Sequence, residues 1–150
     1  MAKLKKTNAM RRLDQAGIDY VVHDRDHLDQ VMAPIYKTLV TQGKSGDNYV
    51  FVVAIDHVLD LKLAAQAVGE KSIHMIKERD LFPLTGYVHG GCSPLAMKKL
   101  FPTQIDVSAQ AYPTILVSGG QVGISIELPP QSLAEIVPAS FASIQTNHER

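Results

Sequence analysis

Two strand-like runs separated by a turn constrain the fold of this chain more than any other feature of its sequence. Residues 35–40 and 49–55 are rich in β-branched and aromatic side chains, which favour the extended conformation. Between them, residues 43–48 (GKSGDN) consist of residue types that form turns. The sequence therefore predicts a β-hairpin over this region.

Shorter helical and strand patterns lie on both sides of this hairpin. Helices are expected to begin at Thr7 or Asn8, at Asp60, near Glu78, at Ser93-Pro94 and at Pro130. Further strands are expected at residues 18–22, 72–76, 115–118 and 123–128. Because these elements follow no regular β-α-β rhythm, we expect an α+β fold with a mixed, largely antiparallel, β-barrel-like sheet and surrounding short helices.

Length and composition indicate a single domain without a membrane partner. The chain has 150 residues and no linker-like stretch, so we expect one domain over residues 1–150. Its one cysteine, Cys92, allows no internal disulfide, which fits a reducing cytosol. No apolar run approaches the ~20 residues that span a bilayer. We therefore expect a cytoplasmic protein.

The charge balance excludes one class of nucleic-acid-binding protein. Fifteen basic and fifteen acidic side chains give zero formal net charge, whereas general nucleic-acid coat proteins carry a strong basic excess. Local contact with one RNA end remains compatible with this balance. The basic residues that are candidates for it, or that simply form solvated faces, are Lys3, Lys5, Lys6, Arg11, Arg12, Lys98 and Lys99.

Lys37 lies inside the first run of the predicted hairpin, where its neighbours are mostly apolar. This position predicts a half-buried stem that holds the ammonium group in one place. A fixed ammonium can bind a phosphate or stabilise oxyanion charge as an ester is cleaved. The structural alternative is an edge-strand lysine that discourages aggregation.

Two glycine-containing segments are candidates for a substrate loop and its neighbour. Gly90-Gly91-Cys92-Ser93-Pro94 leads into a predicted helix, so glycine backbone and free amides there favour an anionic group. Ser118-Gly119-Gly120 offers a hydroxyl and amides, although a hairpin turn also requires glycine. Nothing nearby in the sequence supplies the base and orienting acid that a nucleophilic serine needs.

Two further groups have weaker chemical signals. His89 lies three residues before Cys92, but we interpret this cysteine as a loop side chain rather than a nucleophile. His23 and His27 flank two aspartates at a spacing that holds a metal only on a helix, and we interpret the segment as a solvated polar turn. The sequence thus predicts no metal site.

Three segments together resemble the YbaK/EbsC family of bacterial Cys-tRNA(Pro) deacylases, which are trans-acting editing proteins. They are Lys37-Thr38-Leu39-Val40, the stretch TGYVHGGCSP at residues 85–94, and Val117-Ser118-Gly119-Gly120. The resemblance extends over residues 7–144 and implies a mixed β-barrel similar to the editing insertion of bacterial prolyl-tRNA synthetases. It implies a catalytic role for Lys37 and substrate binding by Thr38, Gly90, Gly91, Ser93, Pro94, Ser118 and Gly119.

The resemblance also implies a reaction without a cofactor or metal. In this family, the thiol of a cysteine wrongly attached to tRNA(Pro) attacks its own ester, releasing the tRNA and a cyclic thiolactone. The protein then needs only to position groups and stabilise charge. The implied partners are the aminoacyl-tRNA acceptor end and prolyl-tRNA synthetase.

Four positions depart from the family pattern. Arg25 stands where a pocket tyrosine is common, residues 24–34 form a shorter stretch than usual, Gln121-Val122 replace a common Lys-Arg pair, and Ser125 replaces a common aspartate. These departures leave two alternatives to the Cys-tRNA(Pro) deacylase. One is a non-catalytic module that binds the aminoacyl or tRNA end, and the other is a deacylase of altered specificity, for example for Ala-tRNA(Pro).

Overall fold

The computed structural model describes residues 5–24 and 31–147. Four α-helices lie in these ranges: α1 (Asn8–Ala16), α2 (Leu61–Val68), α3 (Glu78–Thr85) and α4 (Pro130–Ile136). Ten strands lie in the same ranges: β1 (Val21–Asp24), β2 (Tyr36–Gly43), β3 (Asn48–Ala54), β4 (His57–Leu59), β5 (Ile73–Met75), β6 (Thr103–Asp106), β7 (Ile115–Ser118), β8 (Ile124–Leu128), β9 (Ala139–Ala142) and β10 (Gln145–Asn147). A 3₁₀ helix (Val107–Ala111) follows β6 directly.

The predicted first hairpin forms the centre of the largest sheet. Strands β2 and β3 pair antiparallel from Tyr36 opposite Ala54 to Gln42 opposite Asn48. The strand order of this sheet is β5-β2-β3-β6-β9, in which β3, β6 and β9 are parallel. The second predicted hairpin, β7 and β8, forms an antiparallel sheet with β1, and β10 pairs with β4.

One parallel bridge joins the two larger sheets. Ile35 lies opposite Leu116, and the Leu116 N–H donates to the Pro34 carbonyl at 2.8 Å. Over the described residues the strand pairings do not close into a ring. The α+β class with mixed, largely antiparallel sheets is confirmed, and the barrel is an open one.

The first two helices begin and end where the sequence predicts. Thr7 Oγ1 accepts from the Met10 N–H at 3.2 Å at the start of α1, and Gly17 ends this helix in the left-handed conformation. Asp60 accepts from two backbone amides at the start of α2. The longest described helix has nine residues, and no helix in residues 5–24 and 31–147 is long and apolar enough to cross a membrane.

Strand β3 is buried on both faces, which explains its continuous apolar sequence. On one face, Val52 and Ala54 pack in the cluster that contains Leu13 of α1. On the other face, Phe51 and Val53 pack in the cluster that contains the alanines of α2. Burying each large side chain contributes roughly 1.5–3 kcal/mol, so this strand anchors the residues of β2 that pair with it.

The helix predicted at Ser93-Pro94 is absent, and the prediction was wrong. Residues 93–100 contain bends and no helix. The Leu95 side chain is buried, its carbonyl accepts a hydrogen bond from the Tyr87 hydroxyl, and Ala96 has a φ of 59°. Tertiary burial of Leu95 therefore outweighs the helix-start propensity of a Ser-Pro pair.

Several short elements differ from the sequence predictions. Strand β1 begins at Val21, three residues later than expected, and extends to Asp24. The strands that the sequence analysis missed are β4, β6, β9 and β10. Each of these has only three or four residues, so its extended conformation depends on pairing with a distant strand rather than on local pattern.

Candidate functional site

A cleft of about 700 Å³ opens beside the first half of β2. Its walls come from β2, the segment around residues 89–92, the start of α3 and the turn that joins β7 to β8. Most lining side chains are apolar, with a few polar groups among them. Clefts of this size and character are typical of small-molecule and cofactor sites.

Four of the eight predicted site residues line this cleft. They are Lys37, Thr38, Gly90 and Ser118, which come from the three separate sequence segments. The bridge between Ile35 and Leu116 explains this convergence, because it places the start of β2 beside β7 and the turn that follows β7. The other four, which do not line it, are Gly91, Ser93, Pro94 and Gly119.

Lys37 projects from β2 opposite Val53 and is half-buried. Among the residues that the structure describes, no carboxylate lies within ion-pair distance of its ammonium group. Its charge exerts only a weak, longer-range attraction on Asp56, which does not replace an ion pair as an offset to the cost of partial burial. The Lys37 ammonium is therefore available to an anionic or carbonyl group in the cleft.

Thr38 contributes a second unpaired polar group to the cleft. Its Oγ1 is buried and has no hydrogen-bond partner in the described structure. The large majority of buried side-chain polar atoms in proteins are hydrogen-bonded, and an unmade bond costs about 1–3 kcal/mol. An orphaned hydroxyl in the lining of a cleft is a position where a bound ligand restores the missing bond.

Two of the glycines outside the cleft permit close packing of the loops that form its wall. A Cβ atom on Gly91 would lie 3.1 Å from the Val122 backbone nitrogen, and one on Gly119 would lie 2.9 Å from the Ile124 side chain. Gly90 lies beside them with a φ of 86°, which glycine adopts without strain. These glycines thus hold the two loops against each other.

Ser93 and Pro94 are buried beneath the loop and do not face the cleft. Ser93 Oγ accepts a hydrogen bond from the Leu95 N–H at 3.2 Å, which stabilises a turn rather than a helix. No helix begins here, so the free backbone amides of a helix start, which were expected to bind an anion, are absent from this loop. Gly90 and Cys92 carry this loop into the cleft instead.

Cys92 lines the cleft together with His89, yet its environment disfavours the thiolate. Burial raises the pKa of the Cys92 thiol to about 12, and the hydrogen bond with Thr85 only partly opposes this shift. Because the thiolate is the nucleophilic form, the protonated Cys92 is a poor nucleophile at neutral pH. It forms part of the half-buried wall.

A half-buried polar cluster that the sequence analysis missed joins β1 to β8. His23 is not in a solvated turn as expected, but in β1, where its Nε2 lies 2.8 Å from Glu127 Oε1. Thr114 donates to the other oxygen of Glu127 at 2.6 Å. The pKa of Glu127 is lowered, mainly by the Thr114 bond and then by His23.

This cluster adjoins the cleft through Ser125. His23 and Ser118 both lie directly opposite Ser125, on the two strands that flank β8, and Ser125 lines the cleft. No local pattern signals this arrangement, because it depends on the register of three strands. His27 and Arg25 lie outside the described residues.

Apolar residues of the cleft were also missed. Ile55 is 53% exposed and Met75 is 45% exposed, although both follow the pattern of ordinary strand residues. With Leu81 and Ile124 they form the apolar part of the lining. Their exposure marks the cleft once the structure is known, but a sequence does not show which apolar strand residues remain uncovered.

The sequence comparisons identify one family model and two relatives. Residues 26–136 match the model of a family described as the aminoacyl-tRNA editing domain. A protein of Enterococcus faecalis, provisionally named Cys-tRNA(Pro)/Cys-tRNA(Cys) deacylase EbsC, is 40% identical over 162 aligned residues, which cover 97% of this chain and 99% of that protein. YwhH of Bacillus subtilis, an uncharacterized protein, is 30% identical over 114 residues, which cover 75% and 69% of the two chains.

Solved structures of low sequence identity share the fold. One is described provisionally as a trans-editing enzyme for prolyl tRNA synthetase; it has a TM-score of 0.79 at 24% identity and covers 95% of this chain and 100% of its own. A hypothetical protein has a TM-score of 0.84 at 18% identity, with coverage of 93% and 100%. At these identities the likeness concerns the α+β architecture alone.

Proposed function

The chain belongs to the aminoacyl-tRNA editing domain family, which confirms the resemblance noted in its sequence, and we propose that it is a trans-acting deacylase that removes cysteine from Cys-tRNA(Pro). The observation that carries the proposal is the unpaired Lys37 ammonium in a cleft of about 700 Å³. Thr38, Gly90 and Ser118 share this cleft, so the three segments that carry the resemblance act as one site.

The proposed reaction uses the nucleophile of the substrate. The cysteine thiol loses its proton, and its sulfur attacks the ester carbonyl carbon to form a C–S bond. The bond from that carbon to the ribose oxygen breaks, and the ribose oxygen takes up a proton. The products are tRNA with a free 3′ end and a cyclic cysteine thiolactone. Lys37 stabilises the negative charge that develops on the carbonyl oxygen, or holds the adjacent phosphate.

The groups around the substrate support this assignment, because none of them is an activated nucleophile. Ser118 Oγ accepts a hydrogen bond from the Gly120 N–H at 3.2 Å, and in the described structure no histidine or carboxylate bonds to it. Cys92 is protonated at neutral pH. A site that orients groups and stabilises charge suffices when the substrate attacks itself.

The tRNA acceptor end is the proposed macromolecular ligand. Lys98 lies beside α3, which contributes Glu78 and Leu81 to the cleft, and its Nζ donates to the Pro83 carbonyl at 3.3 Å; Lys99 is the next residue. Their ammonium groups lie 5.9 Å from the ring centres of Phe82 and Phe101, respectively, so aromatic contacts hold these cations in place. We assign them to contacts with the phosphates next to the acceptor end, in the cytoplasm, with prolyl-tRNA synthetase as the partner that delivers the tRNA.

A comparison of three charged tRNAs tests the proposed function. We expect rapid release of amino acid from Cys-tRNA(Pro), with the thiolactone trapped as product, and background rates for Ala-tRNA(Pro) and Pro-tRNA(Pro). Faster release from Ala-tRNA(Pro) would instead indicate altered specificity. Tight binding of all three without release would replace the enzyme by a binding module.

A further inference from the structure

The direction of the Thr38 backbone follows from the register of β2 and β3. Ile55 N–H donates to the Ile35 carbonyl at 2.9 Å, so the odd-numbered residues of β2 make the hydrogen bonds to β3. Antiparallel strands alternate such pairs with pairs that do not bond to each other. Thr38, opposite Val52, is one of the latter, and its carbonyl therefore points away from β3.

Among the described residues, no strand pairs with the side of β2 that faces away from β3 at Thr38. Strand β5 pairs with β2 only at residues 41–43, beginning at Thr41 opposite Met75. On the other side, the bridge to β7 lies at Ile35. Neither neighbouring strand pairs with Thr38, and the gap between them is the cleft that residues 35–40 line.

The open edge presents the Thr38 N–H and carbonyl, which lie on the same side of the strand, together with the Thr38 hydroxyl. The Thr38 carbonyl is directed into the gap, and the Thr38 Oγ1 is buried without a partner. Along β2 the neighbours of Thr38 are Lys37 and Leu39, and Glu78 of α3 is the carboxylate among the described residues that line the cleft. A ligand group that donates several hydrogen bonds in different directions satisfies the carbonyl and the hydroxyl at once.

From this arrangement we infer that the β2 edge at Thr38 recognises the free α-ammonium group of the aminoacyl ester. An ammonium has three donors and no acceptor, so it matches a carbonyl and an orphaned hydroxyl better than a neutral amide does. Lys37, the next residue, then reaches the ester carbonyl or the phosphate. This inference rests on the proposed function, and it identifies the α-ammonium group as the part of the substrate that this strand binds.

This recognition predicts which charged tRNAs the protein rejects. Acylation of the α-nitrogen removes its charge and two of its donors and adds bulk in the gap beside β2. The protein therefore acts on aminoacyl-tRNA with a free amine and spares tRNA that carries an N-acylated residue or a peptide. The strand edge, rather than the apolar walls, provides this selectivity.

Two substrate analogues test the inference. Cys-tRNA(Pro) is compared with tRNA(Pro) carrying 3-mercaptopropionyl, which keeps the thiol and lacks the amine, and with the N-acetylcysteinyl form. Each kcat/KM is divided by the rate at which the same ester breaks down without the protein, because the α-ammonium group itself makes the ester more reactive. We expect normalised losses of about 10- to 100-fold, the range of a lost charge-assisted hydrogen bond.

A binding measurement removes the remaining dependence on ester reactivity. Adenosine analogues with a 3′ amide linkage, bearing either cysteinyl or 3-mercaptopropionyl, are compared as inhibitors, and the cysteinyl form is expected to bind about 10-fold more tightly. Thr38→Val should narrow this ratio, whereas Thr41→Val, on the paired part of the same strand, should preserve it.

The outcomes separate the two proposals. If Cys-tRNA(Pro) is not deacylated, the proposed function fails. If it is deacylated and both analogues react with equal normalised kcat/KM, the function stands and recognition of the amine by Thr38 is overturned. Equal binding of the two amide analogues would have the same meaning.

Discussion

The two ends of β2 carry the same residue type in opposite situations. Thr41 is fully buried, and its hydroxyl donates to the Tyr49 carbonyl at 2.9 Å. Thr38 lies three residues earlier, and its buried hydroxyl has no partner among the described residues. One strand thus contains a satisfied threonine at the hairpin end and an unsatisfied one at the cleft end.

Hydrogen bonding therefore distinguishes a position with a structural role from one that is available to a ligand. At the hairpin end, Gln42 also bonds to the Gly46 carbonyl at 3.0 Å, and β5 covers the strand edge. At the cleft end, Lys37 has no ion pair among the described residues and the edge is open. Unmade bonds there cost stability, which a bound substrate offsets.

The largest expected effect comes from removing the cation at the cleft end. Lys37→Ala should lower kcat/KM on Cys-tRNA(Pro) by about 100-fold, because a positioned donor near developing charge is worth this much. The melting temperature should change little, since the ammonium makes no ion pair in the described structure. Lys98→Ala is the matched control, with a small effect on KM; comparable losses in both variants would refute the special role of Lys37.

The next largest effect is expected at Thr38, where a single substitution should lower activity without lowering stability. Thr38→Val removes the orphaned hydroxyl and keeps the shape of the side chain. We expect kcat/KM on Cys-tRNA(Pro) to fall by about 10-fold, while the free energy of unfolding stays constant or rises by up to about 1 kcal/mol. Kinetics and urea denaturation measure the two quantities. A variant that is less stable and fully active would show that the hydroxyl has a structural role.

The sequence predicted some regions of this fold better than others. The central hairpin and the first two helices follow from strong local signals, such as the glycine after α1 and the aspartate before α2. The short strands β6 and β9 lack such signals, because each is extended only through its parallel neighbour. Local sequence patterns predict elements that nearby residues stabilise. They do not predict strands whose extended conformation depends on pairing with a distant strand.

The candidate site shows the same division. Lys37 was predicted from its strand position and from the family resemblance, Thr38 was predicted from the resemblance alone, and both line the cleft. Ser93 and Pro94 were expected to begin a helix at the site, but burial of Leu95 turns the chain away. The pair of His23 and Glu127 was missed, because it depends on the register of β1 with β8.

A reciprocal substitution at the hairpin end completes the comparison. Thr41→Val removes the hydrogen bond to the Tyr49 carbonyl and should lower the free energy of unfolding by about 1 kcal/mol. Activity per folded molecule should stay at the level of the parent protein, because Thr41 does not line the cleft. Urea denaturation and kcat/KM at a temperature well below the transition test this. Lost activity in the folded variant would mean that the two ends of β2 are coupled.

The smallest effect concerns Cys92, a half-buried side chain of the cleft wall. Its pKa is raised from 9.0 to about 12 by burial, so between pH 9 and 10 the unfolded chain loses a proton that the folded chain keeps. Stability must therefore fall as the pH rises, by about 1 kcal/mol over this interval. Tyr87, whose pKa burial raises from 10.0 to about 12, contributes mainly above pH 10. Cys92→Ala should flatten the slope between pH 9 and 10 and keep deacylation. An unchanged slope would show that this thiol ionises as freely in the fold as outside it.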